Sequence, residues 1–318
     1  METINSIFSK YKVALCFIIN YDHELTKENI WREWIEENRD IINVYFFYQD
    51  KSKIKSSWIL EHLIDPEYIV PTNYVHVIPA YMSILTYAFR KDFKNQWFCL
   101  LTDSCCPIIS PRRFRYLFFK NNHSTLMSWR SAWWNPRFQL RANLAFLPEK
   151  LHLANDPWFV MKREDVLLCM SFRREYHKIY DIICKGEIAN ESLFAIIFKT
   201  YNRLNMIEDK ITHVTDWSRM TSTTSPYIFK EDTIVNRGFI EEALKKNKKV
   251  MFIRKIDKHF PEEVIKYYLY EYSKKKDADL TWNEHGIINH WITGLYMWLW
   301  CVLILIILSR FIYFVLEA

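Results

Sequence analysis

A chain of 318 residues that is 50% hydrophobic and 17% aromatic has ample apolar material for a large buried core, which excludes disorder over most of its length. Its formal charge of +6 is scattered, with short runs at Lys245, Lys246, Lys248 and Lys249 and at Lys274 to Lys276, so a nucleic-acid binder's concentrated basic face is not seen. With four glycines and neither a GxGxxG nor a GxxxxGK[ST] motif, dinucleotide-binding and P-loop readings lose their main support.

In chain order, Met1 to Lys10 is mixed and polar, and the apolar run Val13 to Ile19 is too short for a signal peptide. Lys12 to Ile19 is predicted as a buried strand. Glu28 to Asn38 follows as a helix with Ile30, Trp31, Trp34 and Ile35 on one face. Ile41 to Tyr48 reads as a second strand and Val75 to Ile78 as a short third. Tyr81 to Arg90 is predicted helical, Gln96 to Thr102 a buried strand ending at Asp103, and Pro111 to Lys120 a helix. This alternation predicts βαβ units and an α/β fold with a mixed, mostly parallel central sheet, whose ligands bind beyond the carboxyl ends of strands. Asp103 lies at such an end.

Ser124 to Leu147 is aromatic and basic. Beyond it, Trp158 to Met161 reads as a strand, Arg163 to Met170 and Glu191 to Tyr201 as helices, and Thr212 to Trp217 and Val250 to Ile253 as short strands. Trp291 to Ser309 contains no charged residue and matches the thickness of a bilayer, with Trp291, Trp298, Trp300 and Tyr313 suited to its interfaces and Arg310 able to snorkel. The expected organisation is a catalytic domain over 1–262, a charged connector over 263–287 and a single-pass membrane anchor over 288–316. Lys274 to Lys276 ahead of the span place the domain in the cytosol by the positive-inside tendency, the Golgi or ER lumen being the alternative. A glycan on the sequon Asn190-Glu191-Ser192 would obstruct a lumenal site there. The seven cysteines form no CxxC pair and are expected as buried free thiols.

Four local features can hold chemistry. Asp103 is an acid at a sheet edge, or the cap of the following turn. Glu191 opens an apolar helix whose dipole favours the ionised form, or is simply an N-terminal helix acid. Asp216-Trp217-Ser218-Arg219 sets an aromatic plate among polar groups, suited to a sugar ring, unless Trp217 is core. Arg254 and Lys255 follow a strand and can face a diphosphate, or are solvated cations.

In order along the chain, these features and their neighbours resemble the core-2/I-branching β-1,6-N-acetylglucosaminyltransferase family, plant members included. The resemblance rests on Lys12-Val-Ala-Leu-Cys-Phe17, Ile30-Trp31 with Trp34, Leu100 to Ile109 (Leu-Leu-Thr-Asp-Ser-Cys-Cys-Pro and on), Asp156 to Arg163, Asn190-Glu191, Thr215 to Arg219 and Phe252 to Ile256. It implies a GT-A-like nucleotide-sugar-binding domain and inverting, metal-independent transfer from a UDP-sugar to a hydroxyl of a glycan or glycoprotein. N-acetylglucosamine is the first candidate sugar and xylose the second; no metal and no cofactor are expected. By similarity Glu191 is the general base, Arg254 and Lys255 hold the donor diphosphate, and Asp103 lies near the nucleoside. Trp217, Asp216 and Trp158 meet the acceptor. The family's usual Gly-Ser is replaced by Asp156-Pro157, and the glycine- and histidine-containing stretch of plant members by Met220 to Pro226. Both changes fall where the resemblance implies that substrates bind; the C-terminal anchor, with the compact chain and the scarce glycine, points to a viral or otherwise divergent version. Two other readings compete: a catalytically inactive, membrane-tethered relative that binds glycans or proteins, and a membrane-associated nucleic-acid binder using Trp129 to Arg141.

Overall fold

Val13 to Phe17 are wholly buried, and apolar side chains on both faces are what a central parallel strand requires. The computed structural model describes residues 11–19, 23–222 and 224–277. The chain divides into two compact units, Met1–Lys274 and Lys275–Ala318, and the first holds every element named below. β1 (Lys12–Ile18) leads into α1 (Glu28–Glu36), which buries Ile30, Trp31, Trp34 and Ile35 at helical spacing. β2 (Ile42–Phe47) returns parallel to β1 with Val13 opposite Ile42. The short α2 (Ser57–Glu61) is capped by the Ser56 hydroxyl, which accepts from the Ile59 N–H at 3.2 Å, and the longer α3 (Ile78–Lys91) follows. β3 (Asn95–Thr102) then takes the other side of β1, again parallel.

β4 (Cys106–Pro107) precedes α4 (Pro111–Asn121), where Ser110 caps by accepting from the Arg113 N–H at 3.0 Å. β5 (Trp129–Ser131) pairs antiparallel with β6 (Leu153–Asn155), and β7 (Val160–Lys162) adds antiparallel to β3, giving the sheet order β2-β1-β3-β7. α5 (Arg163–Glu175), α6 (His177–Lys185) and α7 (Leu193–Thr200) follow. α7 buries every side chain from Leu193 to Phe198, as a helix apolar all round must. β8 (His213–Thr215), α8 (Ile234–Lys246) and β9 (Phe252–Arg254) complete a second sheet, β4-β9-β8, in which β8 is parallel and β4 antiparallel to β9.

The architecture is therefore mixed α/β with a parallel-rich main sheet, as the alternation predicts. β2 and β3 lie on opposite sides of β1, so the strand order reverses there and a crevice is expected beyond the carboxyl ends of β1 and β3. α1 is tied to the chain leaving β3: Trp31 Nε1 donates to the Cys105 carbonyl at 3.0 Å and Trp34 Nε1 to the Ile109 carbonyl at 2.9 Å. These bonds satisfy buried indole N–H groups and fix the segment that begins with Asp103.

Several expectations are corrected. Val75 to Ile78 is not a strand: the Asn73 side chain accepts from the N–H groups of Val75 and His76, a turn, and Pro79 sits in the first turn of α3. The helix expected from Glu191 begins at Leu193, and Glu191 closes a separate 3-10 turn, Ala189–Glu191. The start of the expected connector is packed structure: α9 (Glu262–Lys266) and the π-helical turns Tyr267–Tyr272 bury Val264, Ile265, Tyr268 and Leu269. The expected anchor, 288–316, lies outside the described residues; among those described, no helix is long and apolar enough to cross a membrane. The six cysteines described are free, all buried but the half-buried Cys184.

Candidate active site

A cleft of about 520 Å³ opens beyond β1 and β3, where the strand reversal places it, and Thr102, Asp103, Trp158, Glu191, Arg254 and Lys255 are among its walls. Arg254 ends β9 and is only 6% exposed. Its guanidinium carbon lies 3.6 Å from the centroid of the Trp158 ring, a cation–π contact. Nη1 donates to the Thr102 hydroxyl and to Cys105 Sγ, while the buried Nε has no partner among the described residues. Burial of a donor without an acceptor is unfavourable, which marks Nε as a group that a bound acceptor can satisfy. Lys255 Nζ donates to Ser225 Oγ at 2.7 Å. Burial, then the neighbouring Arg254 charge, push its pKa down to about 8, with Asp103 opposing. Burial pushes the Asp103 carboxyl up, and the two cations limit the rise.

Glu191 comes from the 3-10 turn just before α7. The turn carrying it is held by Asn155, whose Nδ2 donates to the Asn190 carbonyl at 2.9 Å and whose Oδ1 accepts from the Ala195 N–H at 3.2 Å. Ile188, ahead of the turn, takes a left-handed φ of 48° and its N–H donates to the Val75 carbonyl at 2.8 Å. Arg141 Nη1 donates to Glu191 Oε2 at 2.8 Å. Burial raises the Glu191 pKa to about 7; Arg141 opposes the rise, Asp156 adds to it and Arg130 opposes it. The expectation that a helix dipole favours the ionised form is thus reversed: the residue precedes the helix, and desolvation dominates. A carboxylate titrating near neutrality is well matched to taking a proton.

Of the residues singled out from sequence, Asp103, Trp158, Glu191, Arg254 and Lys255 share this cleft. Trp217 does not line it. It stacks on Trp158, ring centroids 6.4 Å apart at 19°, and faces a second cleft of about 730 Å³ with Asp156, Asp209 and His213. Asp216 is fully buried and spends both oxygens on its own turn: Oδ1 accepts from Ser218 N–H, Ser218 Oγ and Arg219 N–H, and Oδ2 from Arg219 Nε at 2.6 Å. It shapes the turn that carries Trp217 rather than presenting a carboxylate to the cleft. Sequence reasoning missed the arginines around Glu191. Arg130 lies 3.5 Å from Asp156 and Arg141 pairs with Glu191, so two cations of the Trp129 to Arg141 stretch face acids of the fold, which weighs against a nucleic-acid role. Their signal was that stretch itself, which carries no acid to pair with locally.

A family model described as Core-2/I-Branching enzyme matches residues 16–242. The match covers well over half of the chain and includes Asp103, Trp158, Glu191 and Trp217, and it ends before Arg254 and Lys255. No curated protein matches the chain.

Proposed function

The chain belongs to the Core-2/I-branching enzyme family, whose members are glycosyltransferases acting between a nucleotide-sugar donor and a glycan acceptor, and on that premise we propose that it transfers N-acetylglucosamine from a UDP donor to a glycan hydroxyl by one inverting displacement on a GT-A-like fold. The observation that carries the reading is that Glu191 and the pair Arg254-Lys255, 63 and more residues apart in sequence, line one cleft. In the displacement the acceptor oxygen bonds to the anomeric carbon as the bond to the β-phosphate oxygen breaks. The acceptor proton passes to Glu191, and UDP departs with the electron pair. Negative charge grows on the leaving diphosphate, where Arg254 and Lys255 stabilise it as fixed cations. With these two cations in place the reading requires no divalent ion. Asp103 lines the same cleft for the nucleoside side, and Trp158 offers it an aromatic wall towards the acceptor. The uncharged run Trp291 to Ser309 supports a membrane tether for the enzyme.

The test is a transfer assay with a panel of UDP-sugars and glycan acceptors, with and without EDTA, on the parent chain and on Glu191→Gln. Transfer from UDP-N-acetylglucosamine that withstands EDTA and is abolished by the substitution is expected. Transfer that EDTA stops overturns the metal-independent mechanism, and full activity in Glu191→Gln removes the base.

A further inference from the structure

Glu191 does not stand alone in the cleft wall. Residues 140–142 run beside 186–188: the Ala142 N–H donates to the Glu187 carbonyl at 2.8 Å and the Glu187 N–H to the Leu140 carbonyl at 3.1 Å. Gly186 permits this approach, since a Cβ there would sit 2.3 Å from the Asn143 nitrogen and 2.6 Å from the Ala142 carbonyl carbon. The pairing delivers Arg141 to Glu191, and their side chains are 13% and 8% exposed. The guanidinium carbon of Arg141 is 5.3 Å from the Trp134 ring centroid, and Trp134 is buried. Trp134 meets Trp133 edge-on at 4.7 Å, and Trp133 lies 4.4 Å under Arg130, the partner of Asp156.

We infer that Arg141 is the positioning residue of this enzyme: it holds Oε2 of Glu191 and so reserves Oε1 for the proton of the acceptor hydroxyl. The inference rests on the reading of Glu191 as the base. A bidentate or wandering carboxylate could present either oxygen in several rotamers, and the buried ion pair selects one. The same contact holds down the proton affinity that burial raises. The charges acting on Glu191 are Arg141 and Arg130 as cations and Asp156 as an acid. Arg254, Lys255 and Asp103 line the same cleft, and the buried phenol of Tyr81 is neutral. Arg141 is the strongest of the opposing influences on Glu191, so its removal leaves burial and Asp156 less opposed.

The experiment is the pH dependence of kcat/KM for the full chain, its Arg141→Gln and Arg141→Lys variants and Glu191→Gln. Arg141→Gln should move the acid limb upward by about one pH unit, so that its activity relative to the parent climbs about tenfold from pH 6 to pH 9. Arg141→Lys should restore most of the parent profile, because the charge returns without the fork. A loss equal at every pH, or an unmoved acid limb, overturns the inference. If Arg141→Gln does not fold, Trp134→Leu loosens the same guanidinium without altering charge, and a profile identical to the parent's then overturns it. Activity retained by Glu191→Gln removes the base itself. An inactive Glu191→Gln beside an unmoved limb in Arg141→Gln leaves the base standing and rejects Arg141 alone.

Discussion

Replacing Glu191 by Gln keeps the shape of the side chain and removes its ability to carry charge, which makes stability as informative as turnover. In the unfolded chain the carboxyl titrates at its ordinary value of 4.5, and in the folded protein at about 7. Below pH 4.5 both states are protonated and the buried group carries no charge. The stability this represents is fully present there and is lost as pH rises through 7, because the unfolded chain releases its proton first. At about 1.4 kcal/mol per pH unit the whole swing is about 3 kcal/mol, most of which falls between pH 5 and pH 8. Gln does not titrate. Equilibrium urea unfolding of parent and variant, followed by tryptophan fluorescence at those two pH values, should show the variant gaining that amount relative to the parent at pH 8. Turnover should fall by about 10²- to 10⁴-fold, the usual worth of a general base. Two stability curves that run parallel in pH would show that ionising Glu191 meets no desolvation penalty, and the account of its pKa would be wrong.

Lys255 supplies the opposite limb. Its pKa is lowered to about 8, so UDP affinity should fall as pH rises through 8, while Lys255→Arg should hold its affinity to pH 9 by calorimetry. Trp158→Leu removes the ring lying on Arg254 and should weaken UDP binding by about 3- to 30-fold, the range of a desolvated cation–π contact; an unchanged Kd would show that Arg254 is held without it. Gly186→Ala forces a methyl group into the backbone at 142–143 and should lower stability by about 1–3 kcal/mol, measured by thermal or urea unfolding.

The parts legible in the sequence are those whose signal is local. The apolar runs of β1, β2 and β3 and the Trp31/Trp34 face of α1 are continuous patterns, and each becomes the element it suggests. Val75 to Ile78 carries the same β-branched signal, yet the Asn73 side chain and Pro79 decide its conformation. A short apolar run does not encode its own flanks. Glu191 was placed one element too late because Asn190-Glu191 before an apolar run looks like a helix start. The left-handed Ile188 instead tightens a separate turn, and its conformation depends on Val75, more than 100 residues earlier. Arg141 was visible only as one cation in an aromatic stretch. Its partner lies 50 residues away and is chosen by a backbone pairing that only the folded chain reveals. Asp216 differs again: Asp-x-Ser-Arg contains donors that satisfy it within its own turn.

The cleft draws its cations from the β4-β9-β8 sheet and Asp103 from the end of the main one, with Glu191 on the turn before α7. A nascent chain that has laid down everything through α8 still lacks Arg254 and Lys255, two cations of that cleft. On the proposed role of these cations, β9 is the strand that creates affinity for the nucleotide, and occupancy in turn stabilises it. On that same reading, a chain truncated before Phe252 would gain no stability from the nucleotide, whereas the finished chain would.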